Sequence, residues 1–256
     1  DIAGIDIVAE DISRPLEEQR GAIVEVNAGP GLLMHLKPAK GKPRPVGQAI
    51  VDSLFPAGDK GRIPIVGIAG SKGTSLTARL MSWLLQLTGK HVGLSCRDGL
   101  FLDKRMVDKR DCANWAAGQR LLINRSVDAA VFENGAAMIL GEGIAYDRCQ
   151  VGIVTDAEGA ESLADFDIHN AEQLYHVLRT QVDIVLPEGA AVLNAADPLV
   201  ARMAELCDGE VIFYGLTPDL PVIQAHRARG GQALFIREHR IMLATGAVEG
   251  PFMELP

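Results

Sequence analysis

Long apolar runs are missing from this 256-residue chain, and no stretch approaches the ~20 residues that a membrane-spanning helix needs. Basic charge is also short. Lys and Arg total 25 against 33 Asp and Glu, a formal net charge of −8. Binding a phosphate backbone takes clustered cations, so nucleic acid is not an expected partner. The four cysteines (Cys96, Cys112, Cys149, Cys207) are scattered and form no CxxC pair. That excludes a zinc ribbon or a disulfide framework and fits reduced thiols in a cytoplasmic protein. Trp83 and Trp115, the two tryptophans, fall on apolar helix faces and are expected in the core. No repeat, basic leader or initiator Met is present; the chain opens in mid-pattern, as a portion of a longer protein does.

What is present falls into two textures. Residues 1–60 hold two alternating apolar runs, Gly4–Val8 and Ala22–Val26, which read as an antiparallel pair joined by a long polar connection. A basic, proline-rich stretch from Lys37 to Pro45 follows, and then a short amphipathic helix from Val46 to Phe55. Residues 61–256 alternate strand and helix. Strands are expected at 63–68, 92–96, 129–132, 151–155, 184–186, 191–193 and 211–214, with helices at 75–87, 113–123, 171–182 and 198–206. Apolar strands separated by helices imply an α/β fold with a mostly parallel sheet covered on both faces. The tail past Gly215 turns β-like.

The strand at 63–68 runs into Gly70-Ser71-Lys72-Gly73-Thr74-Ser75 and then a helix. Glycines at a strand-to-helix turn let backbone N–H groups close around phosphates, as in a P-loop. The residue after Gly73, where a P-loop carries its lysine, is Thr74. Lys72 lies two positions earlier, and its side chain is expected to leave the turn in another direction.

Upstream, Glu25 and Asn27 leave one face of their strand, with Asp6 on the neighbouring strand. Three hard oxygen ligands suit Mg²⁺ held together with nucleotide phosphates; from the residues alone, a solvent-facing polar strand fits equally. The run Glu25-Val26-Asn27-Ala28-Gly29-Pro30-Gly31 resembles the closing "E-x-N-x-x-P-G" element of the ATP-grasp fold. Joined to the Pro/Gly/Arg linker, the glycine-rich turn and segments such as Val192-Leu193-Asn194-Ala195-Ala196-Asp197-Pro198, it is similar to the cyanophycin synthetase family across nearly the whole chain.

That resemblance implies an ATP-grasp C-terminal segment and linker over 1–60, then a Mur ligase-like central domain over 61–256, the chain ending near where a Mur C-terminal lobe begins. It implies ATP-dependent amide ligation through an acyl phosphate, with ATP and Mg²⁺ as cofactors. Asp6, Glu25 and Asn27 become the ATP-grasp Mg²⁺ ligands. Gly70, Ser71, Lys72, Gly73, Thr74, Ser75, Asn194 and Asp197 become the second nucleotide site, with Ser75 and Glu133 as its metal ligands. Against the family pattern, Thr74 replaces the loop lysine, Ser162 a histidine, Leu178 a functional lysine and Ala196 an aspartate. Phosphoryl transfer is mostly positioned charge, so the second site is expected to be inactive and its module structural. Two alternatives stay open: an arginine ligase with a rearranged loop, and a non-enzymatic oligomerisation or polymer-binding platform. The implied partners are amino acids or β-aspartyl-arginine units, a growing polyamide chain and further copies of the protein.

Overall fold

The computed structural model describes residues 2–255. It separates into two compact units, Asp1–Arg62 and Ile63–Pro256.

In the first unit β1 (Gly4–Val8) and β2 (Ala22–Asn27) form a two-stranded antiparallel sheet. Gly4 pairs with Asn27, Ile5 with Val26 and Asp6 with Glu25, and a bulge at Val24 shifts the register before Ile7 meets Ile23. The long connection is held compact by Gln19, which is buried in this otherwise open unit. Its amide donates to the carbonyls of Asp11 (2.7 Å) and Arg14 (2.8 Å) and accepts from the Asp11 N–H (2.7 Å). The amphipathic helix forms over Val46–Leu54 and stops ahead of Pro56.

The second unit is one eleven-stranded sheet. Its strands are β3 (Ile65–Ala69), β4 (Val92–Cys96), β5 (Gly99–Leu102), β6 (Arg105–Asp108), β7 (Ala129–Asn134) and β8 (Cys149–Val154), continuing with β9 (Val185–Asn194), β10 (Glu210–Tyr214), β11 (Gln232–Arg237), β12 (Arg240–Thr245) and β13 (Val248–Glu254). Their spatial order is 13-12-11-10-9-8-3-7-4-5-6. From β11 to β4 every neighbour is parallel; the hairpins β12–β13 and β5–β6 continue the two edges antiparallel. The fold class is therefore α/β with a mostly parallel, helix-flanked sheet, as the strand–helix alternation implies.

Three expectations need correction. The separate strands at 184–186 and 191–193 are one ten-residue strand, β9. Pro187-Glu188-Gly189 reads as a turn, yet the ladder to β8 runs through it by a register shift between Cys149 and Val151. The helix expected over 171–182 divides into Ala171–Leu178 and Thr180–Asp183. Finally, the two tryptophans are not core: Trp83 is 51% and Trp115 43% exposed. Their helices bury mostly small residues instead, Ala78 and Ser82 on one and Ala117 and Gly118, with Leu121, on the other.

Helix cover is also unequal. Among the crossovers between parallel strands, only that from β3 to β4, through helix Thr74–Gln86, advances toward the β6 edge; the steps from β4 to β7 and on through β8, β9, β10 and β11 all go the other way. Right-handed crossovers then place the first helix on one face and the rest on the opposite face. Accordingly Ala78 packs with Val66, Ile68, Val92, Leu94, Val131 and Ile153, whereas Leu121, Leu174, Leu178, Val200, Met203 and Ile223 share the larger core on the far side.

Gly67 in β3 lies against a buried polar group on that far side. Asn134 donates to Tyr146 Oη (2.8 Å) and Gln181 Oε1 (2.6 Å), and Tyr146 donates to the same Gln181 oxygen (3.1 Å). A Cβ on Gly67 would lie 1.9 Å from Tyr146 Oη and 2.5 Å from the Gln181 amide. Gly67→Ala is expected to cost about 1–3 kcal/mol by overpacking, a fall in Tm of roughly 2–4 °C per kcal/mol for a unit this size. A thermal scan with unchanged Tm would mean that the network yields without cost.

Candidate functional site

The site lies at the carboxyl ends of β3, β7 and β8, where the strand order reverses and where open α/β sheets bind ligands. β3 delivers the chain into Gly70, whose φ is +131° and whose missing Cβ leaves room for Thr155 Oγ1 at 2.0 Å from where it would stand. No side chain fits there. The turn ends at Gly73, with φ +70°, and helix Thr74–Gln86 starts on the next residue.

The inward groups of this turn bond to the protein itself. The Asp156 carboxylate, at the end of β8, accepts from Ser71 N (3.1 Å), Lys72 N (3.0 Å), Ser71 Oγ (2.6 Å), Thr155 Oγ1 (2.8 Å) and Glu158 N (3.2 Å). Burial works to raise its pKa, but these donors outweigh it and hold Asp156 below the ordinary carboxylate value. The link therefore stabilises the fold above the ordinary carboxylate range and is lost as pH falls through the depressed value.

Glu133, at the end of β7 and 2% exposed, is satisfied in the same way. It accepts from Thr74 Oγ1 (2.7 Å), Ser75 Oγ (2.8 Å) and Arg97 N (2.8 Å), and the Arg97 guanidinium stands 3.3 Å away. Lys72 turns outward to pair with Glu158, both side chains well exposed, and this pairing raises its pKa. Asn194 donates to the Thr155 carbonyl (2.8 Å) and accepts from Ala196 N (3.0 Å). Asp197 accepts from Ala157 N (2.8 Å) and caps the following helix through Leu199 N (2.9 Å). Beside the turn is a cavity of about 350 Å³, lined among others by Gly70, Ser71, Arg97, Glu158, Ser162 and Leu178. Ser162 gives its hydroxyl to the Gly159 carbonyl (2.7 Å), and Leu178 is core.

The turn, Glu133, Ser75 and the 194–197 segment thus converge on one end of the sheet. Two members of this cluster, Asp156 and Arg97, have no counterpart among the sequence candidates. Asp156 lies two residues past the end of β8, and Arg97 is the residue after β4. Only the pairing of β8 and β4 around β3 and β7 brings them in.

In the first unit the trio lies on one strand face. Asp6 is the cross-strand partner of Glu25, and Asn27 is two residues along, so all three side chains project to the same side of the pleat. Asp6 and Glu25 are exposed. Their donor set, carboxylate oxygens and an amide oxygen, suits Mg²⁺, which is usually held by one or two carboxylates plus substrate phosphates. Among the described residues no cluster of three or more His, Cys, Asp or Glu is arranged as a metal cage, and no helix is long and apolar enough to cross a membrane.

No family model matches the chain. It is 40% identical to a cyanophycin synthetase of Synechocystis over 96% of its own length and 28% of that protein's. A UDP-N-acetylmuramoyl-L-alanyl-D-glutamate–2,6-diaminopimelate ligase of Geobacter metallireducens is 26% identical over 62% of the chain and 33% of that ligase. A solved structure of an enzyme of that same name superposes with a TM-score of 0.57 at 11% identity, covering 79% of this chain and 41% of that one. The chain spans just over a quarter of the length of the cyanophycin synthetases it matches. Over 96% of its length the chain is similar to cyanophycin synthetases, and over 79% of it the fold is that of the diaminopimelate ligase structure, a Mur ligase fold.

Proposed function

We propose that the chain is a portion of an ATP-dependent acid–amino-acid ligase in which the first unit contributes to the working Mg–ATP site and the second is a structural module without turnover of its own. One contrast carries this: Asp6 and Glu25 stand exposed beside a half-buried Asn27 on a single face, while the Ser71 and Lys72 N–H groups and the Thr74 and Ser75 hydroxyls of the Gly70–Ser75 turn are engaged within the protein. In the first unit, Glu25 and Asn27, with Asp6 opposite, hold the cation. Bound Mg–ATP supplies the phosphoryl group that activates a carboxylate for attack by an amine.

In the second unit the residues do not fit Mg–ATP. Thr74, at the lysine position, gives its hydroxyl to Glu133. The two cations near the turn, Lys72 and Arg97, are paired with Glu158 and Glu133. Removing one charge-stabilising group from a transferring centre costs about 10²–10³ in rate, and here several are absent together. The proposed partners of the whole protein are amino acids or β-aspartyl-arginine units and a growing polyamide chain, acted on in the cytoplasm by a homo-oligomer.

Equilibrium binding of Mg–ATP to the full-length protein tests the division of labour. Binding is expected to weaken strongly in Glu25→Gln and to be unchanged in Lys72→Ala. A saturable nucleotide site lost in Lys72→Ala would sink the structural reading and revive that of an arginine ligase with a rearranged turn.

A further inference from the structure

We infer that the second unit carries internal substitutes for the ligands its fold is shaped around, with the Asp156 carboxylate filling the N–H nest of the turn and the Arg97 guanidinium serving as the counter-charge of Glu133. This rests on the reading of the unit as a module without turnover, and extends it by saying what holds the turn in shape.

The geometry is specific. Successive backbone N–H groups of a glycine-rich turn form a concavity suited to one anion. Here the N–H groups of Ser71 and Lys72 both point at Asp156, which also collects the Ser71 and Thr155 hydroxyls. These are N–H and O–H donors, the kind a phosphate oxygen would receive. No lysine ammonium joins them, since Lys72 Nζ is on Glu158. The arrangement is braced from behind: Thr155 N continues the ladder by donating to the Ala69 carbonyl (3.0 Å). Asn194 and Asp197 grip Thr155 and Ala157 on either side of Asp156.

At Glu133 the charge is equally accounted for. A carboxylate with a side chain 1% exposed needs a counter-charge; a nucleotide-linked metal would provide one, and Arg97 provides one without it. Among the described residues no buried side-chain polar atom lacks a hydrogen-bond partner.

The test is amide hydrogen exchange on the full-length protein without nucleotide. The Ser71 and Lys72 amides are expected to exchange at least about tenfold more slowly than in Asp156→Ala, because their opening requires breaking the Asp156 links. Asp156→Asn retains an acceptor oxygen but not the charge, and is expected to fall between the two, so the comparison survives if the alanine variant does not fold. Inorganic pyrophosphate is expected to leave both wild-type amides unchanged. Fast exchange of Ser71 and Lys72 in the wild type, or slowing on addition of pyrophosphate, would overturn the inference. An open, unprotected turn in a protein that shows no Lys72-dependent nucleotide site would do so while leaving the proposed inactivity standing.

Discussion

Glu25→Gln in the full-length protein is expected to lower amide-bond formation by about 10²–10³, the usual cost of removing one group that stabilises a transferring phosphoryl centre. The substitution is nearly isosteric and exposed, so folding is not the expected casualty. Glu25 faces Asp6 directly across the strand pair, and a neutral amide between Asp6 and Asn27 removes half of the carboxylate charge from this face. The loss should therefore depend on metal, with the variant's rate rising further with added Mg²⁺ than the wild type's before it saturates. Product formed per minute, followed across a Mg²⁺ titration, reads both effects. Wild-type rates at every Mg²⁺ concentration would remove the first unit from the chemistry.

Arg97→Ala is expected to destabilise the second unit by about 3 kcal/mol, the lower end of what breaking a buried pair costs when one charge stays behind. For a unit of this size that is a fall in Tm of roughly 6–12 °C. The asymmetry of the pair sets the direction. The Arg97 side chain is 49% exposed and the Glu133 side chain 1%, so deleting Arg97 strands the partner that cannot reach water. Thr74, Ser75 and the residue 97 N–H still donate to Glu133, which is why the lower end applies. Glu133→Gln in the same background should recover part of the loss, because it removes the stranded charge. Thermal unfolding of both variants decides the matter; an Arg97→Ala protein as stable as the parent would show that hydroxyl and amide donors alone suffice for Glu133.

The parallel sheet was legible because its strands are apolar runs divided by helix-length segments, and the turn at Gly70–Ser75 because glycine punctuates a strand end. The shared face of Glu25 and Asn27 was legible from alternation, while the register that sets Asp6 opposite Glu25 comes from the strand pairing. Other features depend on packing. Pro187-Glu188-Gly189 carries turn chemistry, and only pairing to β8 across a register shift keeps β9 whole. Trp83 and Trp115 lie on helices whose buried faces are made mostly by small residues (Ala78 and Ser82 on one, Ala117 and Gly118 beside Leu121 on the other), so the largest side chains do not mark the buried face. Arg97 and Asp156 had no local signal. Asp156 is 85 positions from Ser71 and Arg97 is 36 from Glu133, and only the strand order brings them to the turn.

The placement of Asp156 and Glu133 also bears on what a lysine at position 74 would meet. A lysine placed at position 74 would start where the Thr74 hydroxyl now donates to Glu133, so the carboxylate nearest its ammonium would be Glu133, while Asp156 already occupies the Ser71 and Lys72 N–H groups. Removing Asp156 first would open the turn while still leaving it without the lysine. Neither step alone gains anything, and the second lowers stability at once. On the proposed reading, equipping the turn for phosphoryl transfer therefore takes two coupled changes, each unfavourable alone.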